Sequence, residues 1–158
     1  MAYRNIRRNA GAALFALAAT VGIGTMGAGQ ASAETVVPMS DCWGVSPYIV
    51  DQPFHTARLF VYPTGPGKVD AAVRDISTNW AIFSDFSYDS VGRLDWRNRT
   101  TGASGTVYDT ARIGAYVSGP TFNLDTGTGA VDFTFSAVNR HALWAIPTTS
   151  CSGTMQVK

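Results

Sequence analysis

The chain has 158 residues and a mass of 16.8 kDa, the length of one ordinary domain, which excludes an enzyme built from separate cofactor and substrate lobes. Its formal charge is +1, but Arg4, Arg7 and Arg8 stand at the start, and from residue 34 onward nine cations face eleven carboxylates. That leaves no surplus of Lys and Arg to displace counterions from phosphates, so nucleic acid is excluded as a partner.

Residues 1–33 open with Arg4-Asn5-Ile6-Arg7-Arg8, continue as an uncharged Ala/Gly/Leu/Val run from Gly11 to Gly29, and end in Ala31-Ser32-Ala33. This is the layout of a cleavable secretory signal, and a secreted, extracellular protein with no membrane span after cleavage is expected. A retained anchor is the alternative, disfavoured by the weakly apolar Ala and Gly content. Residues 34–158 then form a single domain. In an oxidising exterior their two cysteines, Cys42 and Cys151, are expected to pair as one disulfide.

From residue 34 onward 13 Val, 5 Ile and 15 Thr outnumber the Leu, Met, Glu, Lys and Gln three to one, a composition suited to strands. Short alternating segments separated by Gly, Pro, Asp and Asn predict strands near 47–50, 56–62, 69–76, 80–88, 93–99, 104–110, 112–118, 121–125, 130–137 and 142–146, with a last edge strand at 154–157. Between them, Thr64-Gly65-Pro66-Gly67-Lys68 reads as a turn and lacks the spacing of a phosphate loop.

Three hairpins carry a predicted register. A turn at Ser90-Val91-Gly92 would set Tyr88 opposite Leu94 and Phe86 opposite Trp96, with Asp89 meeting Arg93 and Asp85 meeting Arg97 outside. A three-residue turn at Thr100-Thr101-Gly102 would set Leu94 opposite Tyr108 and Arg93 near Asp109. A third, around Asp125 to Ala130, would pair Leu124 with Val131 and Phe122 with Phe133. So many short strands with one aromatic face predict an all-β antiparallel β-sandwich, immunoglobulin-like in architecture, with a closed β-barrel as the alternative.

Catalytic chemistry is hard to assemble from these residues. There is no G-x-S-x-G elbow, His55 and His141 stand without a supporting motif, and the one Glu beyond the leader is Glu34. The Asp residues read as partners of Arg on a sheet exterior. Asn123, Asp125 and Asp132 come nearest to an oxygen cluster for Ca²⁺ but lack a defined loop pattern, so neither metal nor cofactor is expected. Asn98-Arg99-Thr100 is formally a glycosylation sequon. With 16 aromatic residues beyond the leader, some must face outward. Trp43, Phe83, Tyr116 and Trp144 are the candidates for a binding surface. The expected function is therefore binding of an extracellular protein or glycan without catalysis. A carbohydrate-binding module and a small secreted hydrolase using His55 or His141 are the alternatives.

Overall fold

A computed structural model describes residues 33–47, 54–74, 87–113 and 119–158, with the backbone alone of residues 54, 55 and 57. The leader, and with it the cleavage site, lies outside the described residues, as do the strand expected at 47–50 beyond Pro47 and nearly all of the one expected at 80–88.

Nine strands and no helix are present among the described residues: β1 (Thr35–Gly44), β2 (Phe54–Gly65), β3 (Lys68–Val73), β4 (Tyr88–Asn98), β5 (Ser104–Ile113), β6 (Thr121–Asp125), β7 (Gly129–His141), β8 (Trp144–Pro147) and β9 (Cys151–Val157). They form two antiparallel sheets. The first runs β1-β2-β3-β6; the second runs β5-β4-β7, with β8 and β9 both lying along the free edge of β7. Between the pairs Val138–Pro147 and Phe135–Cys151, β7 spends two residues where its partner spends three, which is a bulge. Thr148 fills it: its amide donates to Ala137 O and its hydroxyl accepts from Ala137 N, both at 2.8 Å.

Alternation places the apolar side chains of both sheets in one core. Val61, Val69 and Leu124 come from the first sheet; Leu94, Val131 and Phe133 come from the second. Phe122 and Phe135 meet edge to face across it, their ring centres 6.1 Å apart. Among the described residues the ladder of neither sheet continues into the other, so the expected alternative of a closed barrel is not formed there. At one margin β1 is nonetheless fastened to β9. Thr149 N donates to Trp43 O at 2.7 Å, Ser152 N donates to Ser40 Oγ at 2.9 Å, and the Cys42–Cys151 disulfide joins the two strands with Cα atoms 4.8 Å apart. The pairing of β1 with β2 slips between Pro38 and Cys42, in the stretch where β1 turns its groups toward β9. Pro38 and that slip break the alternation, which is why β1 escapes a search for regular strands.

The predicted hairpins need correction. Ser90-Val91-Gly92 is no turn: β4 runs straight through it, with Tyr88 opposite Ile113 and Gly92 opposite Asp109. Glycine serves there for close approach, since a Cβ on Gly92 would lie 2.8 Å from Pro120 Cγ. The β4–β5 hairpin exists but is shifted by one residue. Asn98 N donates to Ala103 O and Gly102 N to Asn98 O, so the loop holds four residues, with Gly102 at φ 80°. One extra loop residue reverses the parity: Leu94 pairs with Val107, and Tyr108 turns outward opposite Arg93. The third hairpin is absent. β6 pairs with β3, placing Leu124 beside Val69, while Val131 lies on β7 in the other sheet. Alternation is satisfied equally by two strands facing each other across a core and by two strands side by side, so the pattern alone does not separate them.

Candidate functional site

The strands have two unlike ends. At one end the β2–β3 turn, the β4–β5 turn and the β6–β7 connection are bonded together. Gly67 O accepts from Thr126 N and Gly127 N at 2.9 and 3.0 Å. Asn98, fully buried, donates from Nδ2 to Thr126 O and Thr128 O, while its Oδ1 accepts from Thr100 N and Thr101 N, all within 3.1 Å. The formal sequon asparagine is therefore a core hydrogen-bonding group, committed at every side-chain polar atom.

The opposite end carries exposed apolar side chains. Trp43 (52% exposed) and Val45 (57%) stand where β1 finishes, and Leu143 (80%) and Trp144 (58%) form the β7–β8 hairpin. Hydrogen bonds between side chain and backbone hold these two pieces against each other. Asn139 Nδ2 on β7 donates to Val45 O at 3.2 Å, and Trp43 N donates to Thr149 Oγ1 at 2.7 Å, just beyond β8. The ladder also pairs each tryptophan position with a histidine position: Trp43 with His55 on β2, and His141 with Trp144. Of the four aromatic residues expected to form a surface, Trp43 and Trp144 are thus exposed at the same end, whereas Phe83 and Tyr116 lie outside the described residues. Val45 and Leu143 were not singled out by sequence. An isolated Val or Leu carries no signal of exposure until the neighbouring strands are placed.

Charge is arranged elsewhere, on the outer faces of the sheets. On the second sheet Arg93 bonds Asp95 at 2.9 Å, Arg99 bonds Asp132 at 2.6 Å, and Arg112 lies 3.8 Å from Asp89. Arg–Asp pairing on the exterior is present with different partners from those expected: Asp89 meets Arg112 rather than Arg93, and Asp109 accepts from Thr121 N. Asp85, the partner expected for Arg97, lies outside the described residues. The hydrogen bond from Arg99, seconded by that from Thr154, holds the Asp132 carboxyl below its ordinary range. Burial by itself would raise Asp95, but bonds from Thr106 and Arg93 and the charge of Arg93 outweigh it and lower that carboxyl too. On the first sheet Arg58 and Arg74 stack over the Phe60 ring at 5.6 and 4.9 Å, and Arg74 also pairs with Glu34 at 3.6 Å and bonds the Tyr62 hydroxyl. The hydrogen bond to Glu34, with some burial, raises the Tyr62 phenol against the opposing charge of Arg74.

Asn123, Asp125 and Asp132 are not brought together. Asn123 bonds Asp70, Asp125 faces Lys68 on the first sheet, and Asp132 belongs to Arg99 and Thr154 on the second. Among the described residues no group of three or more His, Cys, Asp or Glu side chains is placed to hold a metal ion, and no helix is long and apolar enough to cross a membrane. The disulfide is compatible with an extracellular protein. Comparison with protein-family models, with curated proteins and with solved structures finds no match.

Proposed function

We propose that the chain is a secreted, immunoglobulin-like β-sandwich that works by binding an extracellular protein or glycan through the end that presents Trp43, Val45, Leu143 and Trp144. The observation that carries this reading is the grouping of four large apolar side chains, each more than half exposed, on two pieces of chain bonded to each other. Scattered exposed hydrophobics are ordinary, but a group containing two indoles at one end of a fold suits an interface. A photo-crosslinking residue in place of Leu143, in the mature secreted protein, is expected to give a discrete adduct at the surface of the producing cell. The same group in place of Tyr108, which is 65% exposed on the outer face of the second sheet, is expected to give none. Equal labelling from both positions, or an adduct that survives Trp43→Ala together with Trp144→Ala, overturns the reading.

The two exposed indoles also support a glycan ligand, since flat aromatic faces stack on sugar rings. Saturable quenching of tryptophan fluorescence by soluble oligosaccharides, lost in the two Trp→Ala variants, would assign the partner to that class. Unchanged emission across the oligosaccharides leaves a protein partner.

A further inference from the structure

Ser90 and Asn139 face each other across the β4–β7 ladder, on its core side, and both are fully buried. Asn139 Nδ2 donates to Val45 O at 3.2 Å. A carbonyl oxygen only accepts, so this bond settles which way the amide points and turns Oδ1, an acceptor, elsewhere. Neither that Oδ1 nor Ser90 Oγ has a hydrogen-bond partner among the described residues. Three of the neighbouring inward positions carry no polar side chain: Ala111, the other ladder partner of Ser90, and Gly92 with Ala137, the next pair down. The contrast with Asn98, satisfied at every polar atom at the other end of the same sheet, is direct. A buried polar group left unpaired costs more than an ordinary hydrogen bond contributes, so such a pair calls for a partner.

We propose that Ser90 and Asn139 hold one hydroxyl group between them, which donates to Asn139 Oδ1 and accepts from Ser90 Oγ. Side chains directly opposite on antiparallel strands have Cβ atoms about 4.5–5.5 Å apart, a span that a single oxygen can bridge. The chemistry selects the group. An N–H donor satisfies Oδ1 but cannot accept from serine, and a carbonyl accepts from serine but cannot donate to Oδ1; one O–H does both. Two sources share this chemistry, an internal water and the hydroxyl of a small polyol. The inference does not depend on the surface proposed above: Asn139 Nδ2 helps to hold Val45 in place, but neither Ser90 Oγ nor Asn139 Oδ1 takes part in that bond.

A high-resolution crystal structure of the mature protein is expected to show an oxygen within hydrogen-bonding distance of both Ser90 Oγ and Asn139 Oδ1. A side chain or backbone group of this chain in that position overturns the assignment. In solution, Ser90→Ala and Asn139→Leu are each expected to lower the melting temperature, and the double variant to lose less than the two together, since both remove the same bridge. A rise in melting temperature for Ser90→Ala would mean a dry pair relieved of an unpaired hydroxyl, and would likewise overturn it. Titration of the wild-type protein with glycerol, followed at the Asn139 side-chain amide by NMR, separates the sources. A saturating shift assigns the position to a polyol hydroxyl, and an unmoved signal beside the crystallographic oxygen assigns it to water.

Discussion

Asn98 shows how much one side chain can carry. Its four hydrogen bonds tie the β4–β5 turn to the β6–β7 connection, and the residue has no exposed surface. Asn98→Ala strands two carbonyls and two amides, so a loss of about 3 kcal/mol is expected in urea unfolding. A loss below about 1 kcal/mol would mean that water replaces the amide freely. The same burial predicts that Asn98 stays unmodified once the chain has folded, although the tripeptide matches a sequon. Trp43 and Trp144 represent the opposite case. Each is more than half exposed, so Trp43→Ala and Trp144→Ala are expected to change stability by less than about 1 kcal/mol. Larger losses in denaturant titrations would assign the indoles to the core rather than to recognition.

At the scale of strands and ladders, the margin between β1 and β9 is a close approach. A Cβ on Gly153 would lie 2.5 Å from Pro38 O, a backbone atom that cannot swing aside. Gly153→Val is therefore expected to cost about 2–3 kcal/mol by forcing the strands apart. An unchanged midpoint would show that β1 can move away from β9. The outer face of the second sheet governs the response to acid. Asp132 and Asp95 both have folded-state pKa values below the ordinary carboxylate value, so their contribution is present above about pH 4 and is lost as pH falls through the depressed values. Wild type should therefore lose stability with falling pH below about 4 more steeply than Asp132→Asn. Parallel acid curves for the two proteins would remove Asp132 from the account. Both carboxylates are on the surface, and screening by salt should shrink the difference.

Over the whole molecule, the disulfide joins the margins of the two sheets and closes a separation of 109 residues. Chain-entropy arguments put the stabilisation for a loop of that size at about 4–5 kcal/mol as an upper figure. Reduction, or Cys42→Ser with Cys151→Ser, is expected to lower the unfolding midpoint by an amount equivalent to about 2–5 kcal/mol. No shift would mean that the β1–β9 hydrogen bonds alone hold the margin. The two ends then divide the work. One is locked by backbone bonds among its turns, and the other gathers the exposed apolar groups at chain positions as distant as Trp43 and Trp144.

Much of this could be read from the residues in order. The excess of Val, Ile and Thr announced an all-β chain. Gly67, at φ 70°, and Gly102 marked real turns, and the strand at 121–125 was bounded as found. The oxidising compartment expected from the leader made the Cys42–Cys151 bridge the natural pairing. These are local or compositional properties, set by backbone preference and by redox chemistry. Tertiary structure alone decided which strand lies beside which. Leu124 and Val131 have the same inward alternation whether they are neighbours or face each other across the core, and one additional loop residue was enough to turn Tyr108 outward. The grouping of Trp43 with Val45, Leu143 and Trp144, and the facing of Ser90 and Asn139, depend on those pairings. A periodic pattern records which face a side chain takes, and long-range strand pairing determines what that face meets.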